Sequence, residues 1–167
     1  MPKARAISIF SHWNHMIEGL SVSPKEFFSQ LEQVLETKLI PDTKRSRTDW
    51  REGGIMSAKR EYLRVMRKRM TFDICGAPFG NGFFISWWLG EMPSFFWQLV
   101  LSVPFVGPLF ERAFKPTTYY NVDTATMFQS LVHSAVMEVV DSLTQANGLK
   151  ALYGNDRKPQ MRNFFDL

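Results

Sequence analysis

Arginine and lysine residues are concentrated in one part of this sequence, and they provide its clearest chemistry. Residues 44–69 contain ten basic and three acidic side chains, a local net charge of +7, whereas the rest of the chain carries −3. Guanidinium groups bind phosphate oxygens through paired hydrogen bonds, and the interleaved Trp50 and Tyr62 can stack on bases or head groups. We predict that the residues contacting anions are Arg45, Arg47, Arg51, Arg60, Arg64, Arg67, Lys68 and Arg69.

This basic run also has a simpler explanation. Small β-sheets often carry Lys and Arg on solvated faces and edges, where the charges discourage aggregation. No RNP, KH or helix-turn-helix pattern accompanies the run, so the sequence does not specify nucleic acid. The excess charge therefore indicates either a solvated sheet surface or a surface that meets the phosphates of nucleic acid, of lipid head groups or of another ligand.

A second unusual feature is residues 92–110, which contain no charged side chain. The run is nearly long enough to cross a bilayer, but Pro104 and Pro108 interrupt it and predict a helix over 93–103 followed by a turn. It suits either a buried helix on the second face of a sheet or an anchor in a membrane interface or partner groove. In the second case the anchoring side chains are Phe95, Phe96, Trp97, Phe105 and Phe110.

Groups for catalysis or metal binding are sparse. The single cysteine, Cys75, and the histidines His12, His15 and His133 show no zinc-site spacing. Cys75 precedes Gly-Ala-Pro without an adjacent basic residue, which predicts a buried, unreactive thiol. His133 and Glu138 are poorly spaced on one helix to share a ligand, and the glycines after Cys75 match neither a dinucleotide nor a phosphate-loop motif. The sequence therefore predicts no catalytic residue, metal or cofactor.

The elements that position these groups have their own signals. A helix over 24–38 is indicated because Ser23 is an N-cap, Pro24 suits the first helical position and Glu26 completes a capping box. Its apolar residues recur with the period of one helix face, and the following Ile-Pro pair ends it.

After this helix the pattern changes to the alternation typical of strands. We predict antiparallel strands over 44–52, 58–68 and 70–77, and a fourth over the aromatic stretch that follows the Gly-Asn-Gly turn at 80–82. The basic side chains are expected on the outward face of this meander, and the inner face is expected to pack on the preceding helix.

Two further helices are predicted, one before the 24–38 helix and one towards the C-terminus. Residues 6–20 show weak helical periodicity around Phe10, Trp13 and Ile17, which predicts a short helix. A long helix is predicted from Asp123 to the Asn-Gly pair that follows residue 146, because apolar residues line one of its faces and Asn-Gly is a C-terminal stop.

These elements predict one α+β domain: a three- to four-stranded antiparallel meander with an N-terminal helix, an apolar helix-turn insertion at 92–116 and a long C-terminal helix. We assign residues 1–154 to the domain and 155–167 to a C-terminal arm. A hydrophobic content of 45% excludes a disordered chain. The first residues lack the apolar core of a secretory signal, which predicts a location in the cytoplasm or at its membrane.

For function, the sequence favours a non-enzymatic protein that associates peripherally with an anionic membrane surface. Residues 95–110 are the apolar anchor, and the basic sheet face is its electrostatic partner. The alternative is a nucleic-acid-binding module that contacts phosphates through the Arg and Lys residues of 44–69. An assembly subunit that buries 92–110 against another protein, or against a second copy of the chain, fits the apolar segment equally well.

Overall fold

The computed structural model describes residues 8–51, 59–92 and 118–161. Its strands are β1 (Ser8–Glu18), β2 (Thr43–Arg51), β3 (Lys59–Arg67), β4 (Met70–Phe79), β5 (Gly82–Glu91) and β6 (Gln160–Met161). Its helices are α1 (Pro24–Thr37), α2 (Tyr119–Ala146) and a short 3₁₀ helix (Gly154–Arg157). The strands form one antiparallel sheet in the order β2-β3-β4-β5-β1-β6.

The predicted α+β class is confirmed, and the sheet is larger than predicted. Strands β2 to β5 form the expected meander, in which each strand pairs with the next along the chain. The two additional strands, β1 and β6, extend the sheet beyond β5 and raise the number of strands from the predicted three or four to six.

The prediction of a short helix over 6–20 is wrong, because most of this segment forms β1. Trp13 and Ile17 are buried and lie opposite Trp87 and Phe83 of β5. A spacing of four fits one face of a strand as well as one turn of a helix, so these two residues do not distinguish the structures. The misleading residue is Phe10: a register shift between Ile9 and Ser11 changes the alternation there, and Phe10 packs against the core.

Both helices pack on the same face of the sheet, here called the inner face. The sheet contributes Leu63, Val65, Phe72, Ile74, Phe83, Ile85, Trp87 and Leu89 to the core, and the helices contribute Phe27, Phe28, Leu31, Phe128, Val132 and Val136. At one point α1 approaches the sheet so closely that only glycine fits. A Cβ atom on Gly76 would overlap the ring of Phe27.

The helix boundaries follow local capping chemistry. The Ser23 Oγ accepts a hydrogen bond from the Glu26 N–H at 3.1 Å, which confirms the predicted start of α1. Helix α2 begins at Tyr119 instead of Asp123, because Thr118 caps it by accepting a hydrogen bond from the Asn121 N–H. It ends at the predicted Asn-Gly pair, where the glycine has φ +65°.

The segment predicted as a C-terminal arm is bound to the domain as far as Met161. Strand β6 pairs with β1, and the Trp13 Nε1 donates a hydrogen bond to the Asp156 carbonyl at 2.6 Å. Arg157 forms a two-pronged ion pair with Asp141 of α2, with N–O distances of 2.7 and 2.9 Å. These contacts join the segment to both the sheet and the long helix.

The predicted apolar insertion at 92–116 lies outside the described residues except for Met92. Among the helices that the structure describes, none combines the length and the apolar character needed to cross a bilayer. The insertion itself therefore stays a prediction from sequence.

Candidate anion-binding surface

The sheet divides the predicted anion-binding residues between its two faces. In β2, Arg45 lies opposite Val65 and Arg47 lies opposite Leu63. Val65 and Leu63 are core residues of the inner face, so both arginines lie on the helix side. This differs from the predicted outward orientation. Arg64, one position along β3, lies on the opposite side of the sheet, here called the outer face.

Arg47 and Arg45 are engaged by carboxylates on the inner face. The Arg47 guanidinium contacts Glu32 of α1 at 2.9 Å and Glu61 at 3.3 Å, and it stacks 4.5 Å from the Phe28 ring centre. Arg45 contacts the Glu36 carboxylate at 3.3 Å and donates to the Glu32 carbonyl at 3.0 Å. Because strand β2 is an edge of the sheet, these pairs tie that edge to α1 and reduce its free positive charge.

Arg64 is also committed to a structural contact. Its Nε and Nη2 each lie 2.7 Å from a different oxygen of Asp73, the residue directly opposite on β4. The Arg64 side chain is almost completely buried in this paired geometry, with 7% of the residue exposed. A buried bidentate pair of this kind orders two neighbouring strands, and it leaves the guanidinium little capacity for an external anion.

The remaining basic residues gather at one end of the sheet. Lys68 lies in the tight β3–β4 turn with φ +53°, Arg67 donates from Nε to the Pro41 carbonyl at 3.2 Å, and Arg69 pairs with Glu91 at 3.0 Å. Lys44 lies opposite Met66 near the same end of the sheet. We call Lys44, Arg67, Lys68 and Arg69 the basic end.

The basic end adjoins the point at which the uncharged run leaves the sheet. The Met92 N–H donates a hydrogen bond to the Arg69 carbonyl at 2.8 Å. Arg69 also pairs with the last residue of β5, Glu91. The two features that the sequence presents separately, the basic run and the apolar run, are therefore connected at one place in the fold.

Six of the predicted site residues have side chains outside the described part of the structure. Arg51 ends β2, and its side chain lies outside the described part of the structure. The predicted anchor residues Phe95, Phe96, Trp97, Phe105 and Phe110 also lie outside it.

A cavity of about 330 Å³ lies at the opposite end of the outer face. The strand registers bring Ala77, Phe84 and Met16 side by side across β4, β5 and β1. These three residues line the cavity together with Arg60, Pro78 and Phe79. Sequence reasoning identified Arg60 but missed its apolar neighbours. The sequence signal for these neighbours is Phe79, an aromatic residue directly before the glycine of the β4–β5 turn. In the structure Phe79 is 67% exposed.

Cys75 and Tyr62 lie next to this cavity, opposite one another on β4 and β3. Cys75 is buried, as predicted, and burial is the main reason that the pKa of its thiol is raised. Burial likewise raises the pKa of the Tyr62 hydroxyl. The expectation that no basic group stands near the thiol needs correction, because the Arg60 charge acts on both groups and partly opposes the effect of burial.

The histidines do not form a shared site. His12 and His15 are three apart in a strand, so they lie on opposite faces, and His12 stacks on Trp88 with ring centres 4.7 Å apart. Across the described ranges, no cluster of three or more His, Cys, Asp or Glu side chains has the arrangement of a metal site. Glu138 pairs with Lys38 at 2.7 Å, whereas His133 bonds Trp87 and the Arg157 carbonyl.

His133 makes two ordinary hydrogen bonds within the fold. Its Nδ1 lies 3.1 Å from the Trp87 Nε1, and its Nε2 lies 2.7 Å from the Arg157 carbonyl. Because the indole only donates and the carbonyl only accepts, Nδ1 is unprotonated and Nε2 carries the hydrogen. Burial lowers the pKa of this imidazole, in agreement with the neutral form.

Comparisons of the chain with protein-family models, with curated proteins and with solved structures found no match. A functional proposal for this chain therefore rests on its own residues and their geometry.

Proposed function

We propose that this protein associates peripherally with anionic membrane surfaces, with its basic end toward the lipid head groups. The observation that supports this proposal is the junction between Arg69 and Met92. There the basic β3–β4 turn and the start of the uncharged run are joined by a hydrogen bond of 2.8 Å. Electrostatic attraction and apolar insertion at one place add together, and stable peripheral binding usually requires two such signals.

The distribution of partners favours the basic end over the rest of the basic run. Arg45, Arg47 and Arg64 are held by carboxylates within the fold. At the basic end, Lys44 and Lys68 are exposed and form no ion pair with a described carboxylate, and Arg67 binds a neutral carbonyl. None of these three charges at the basic end has a described carboxylate partner, which leaves them available to phosphate groups. The apolar anchor is proposed from the sequence alone, on the aromatic residues of 95–110.

Vesicle flotation of the full chain tests the proposal. The probe is a set of phosphatidylcholine vesicles with and without phosphatidylserine. Each Lys near an anionic surface contributes about 1 kcal/mol, so Lys44→Glu with Lys68→Glu should weaken binding to the phosphatidylserine vesicles about 25-fold or more. The matched control is Lys25→Glu with Lys158→Glu, two exposed residues away from the basic end. It changes the net charge equally and should bind nearly as well as the wild type.

Two results would refute this proposal. One is equal binding of wild type to vesicles with and without phosphatidylserine. The other is an equal loss of binding in the two double variants, which would make net charge, and not the basic end, the determinant.

A second candidate function, binding of single-stranded nucleic acid, is favoured by a different observation. Trp88 on the outer face is 41% exposed and stacked on His12, and no described helix covers this face. A partly exposed pair of stacked rings on a sheet face resembles the stacking platforms of single-strand binding proteins. A mobility shift with short RNA or DNA at low ionic strength, lost in Trp88→Ala, would support this function. Absence of any shift would exclude it.

A further inference from the structure

We infer that the outer-face cavity is a binding site for a small amphipathic anion, in which Arg60 receives the anionic group and the apolar wall receives the body. The site is defined by Arg60 together with Met16, Ala77, Pro78, Phe79 and Phe84. It is separate from the basic end and does not depend on the proposed membrane association.

The apolar wall is continuous across three strands. Ala77 lies opposite Phe84, and Phe84 lies opposite Met16, so their side chains form one row on the outer face. Phe79 stands at the rim beside the β4–β5 turn with most of its ring exposed. A largely exposed phenylalanine at the edge of a cavity leaves apolar surface in contact with water. An apolar ligand that covered the ring would remove this surface from water, which is favourable.

Arg60 is the cationic group among the described residues that line the cavity. None of the described carboxylates lies within ion-pair distance of it, in contrast to Arg64 on the same strand. Its near neighbours on this face are the Tyr62 hydroxyl and the Cys75 thiol. Both are neutral at pH 7, since burial raises pKa values that ordinarily already lie above 7. A guanidinium with five donors beside an apolar wall is suited to hold one carboxylate or phosphate group.

Size and charge together define the class of ligand. A volume of about 330 Å³ is at the small end of the range for ligand pockets. One guanidinium neutralises one anionic group, and the other lining residues that the structure describes offer apolar contacts. The ligand expected is therefore a compound with a single carboxylate or phosphate at one end of a short apolar body, such as a medium-chain acid.

The cavity and the basic end lie at opposite ends of the sheet. Met70 and Glu91 face each other at the basic end, whereas Phe79 and Gly82 face each other at the cavity end. Substitutions at one end therefore leave the other end unaltered, and the two proposals can fail independently.

Isothermal titration calorimetry tests the inference with defined probes. We expect octanoate or octyl phosphate, each below its micelle concentration, to bind the wild-type chain. Octanol, which lacks the charge, and acetate, which lacks the apolar body, should bind at least tenfold more weakly. Arg60→Gln removes a charge-assisted contact and should weaken octanoate binding roughly tenfold or more. The control Lys68→Gln, an exposed basic residue of the other end, should leave it unchanged.

A second variant keeps the test independent of Arg60 and its effect on folding. Ala77→Leu places a larger side chain in the cavity, at a partly exposed strand position that tolerates leucine, and it should block octanoate while the circular dichroism spectrum is retained. The inference is overturned if octanol binds as well as octanoate, or if folded Arg60→Gln and Ala77→Leu bind like the wild type. Binding of both variants to phosphatidylserine vesicles should equal that of the wild type.

Discussion

Trp87 of β5 and His133 of α2 are joined by a hydrogen bond of 3.1 Å that links the centre of the sheet to the long helix. The opposite nitrogen of the imidazole bonds the Arg157 carbonyl, so the same ring also holds the 3₁₀ helix. This arrangement requires a neutral histidine, because a proton on Nδ1 would face the indole N–H.

The first prediction is a loss of stability in mild acid that depends on His133. Burial lowers the pKa of this histidine below its ordinary value of 6.5, so the unfolded chain binds more protons than the folded chain in this range. The contribution of His133 to the free energy of unfolding is therefore complete above about pH 6.5. It decreases as the pH falls toward the folded-state pKa. Urea unfolding of wild type and His133→Gln at a series of pH values measures it.

Glutamine can accept from Trp87 and donate to the Arg157 carbonyl, but it does not titrate. The His133→Gln variant should therefore show a smaller decrease in the free energy of unfolding between pH 7 and about pH 5. Identical pH profiles for the two proteins would contradict the assignment of a neutral, buried imidazole.

The second prediction concerns the pair between Arg64 and Asp73. Asp73→Ala removes the carboxylate from a largely buried guanidinium and should lower the free energy of unfolding by about 2 kcal/mol or more. Glu36→Ala removes an exposed partner of Arg45 and should cost less than about 1 kcal/mol. If urea unfolding gave a similar, small loss of stability for both variants, burial would not make the Arg64–Asp73 pair more important than the exposed Arg45–Glu36 pair.

The third prediction concerns the reactivity of Cys75. Burial raises the pKa of the thiol and restricts access to it, so the native protein should react with Ellman's reagent far more slowly than the urea-unfolded protein. Cys75→Ala should fold normally, whereas Cys75→Ser places a hydroxyl in the same buried position and should cost about 1–3 kcal/mol. Labelling of the native protein at the unfolded rate would contradict the buried assignment.

The fourth prediction concerns the contact between Gly76 and Phe27. Gly76→Ala introduces a methyl group that overlaps the Phe27 ring and should destabilise the protein by about 1–3 kcal/mol. Shortening the opposing side chain should relieve the overlap. In a double-mutant cycle, Phe27→Leu should therefore cost less in the Gly76→Ala background than in the wild type. Additive effects would mean that the two residues do not compete for the same space.

Local sequence signals are sufficient to predict those elements whose structure depends on residues close together in the chain. The Ser23 cap, the Asn-Gly pair after α2 and the alternation of the meander act over a few residues, and each predicted its element correctly. Helix α2 begins four residues earlier than predicted, because Thr118 caps its N-terminus.

Longer-range pairing decided what local signals could not. Trp13 fits a helical and a strand period equally, and the choice depends on hydrogen bonds to β5, more than sixty residues away in the chain. The outer-face cavity has the same origin, because Met16, Ala77 and Phe84 become neighbours only through the strand registers.

The composition of the sequence alone determined that positive charge is concentrated in residues 44–69. The tertiary structure decided which of these charges are accessible. Arg45 and Arg47 are neutralised because alternation in an edge strand directs them toward the acidic residues of α1, whereas Arg60 points to the other face, where no described carboxylate pairs with it. Charge is a property of the chain, but its partners depend on strand register and on the face that the helices cover.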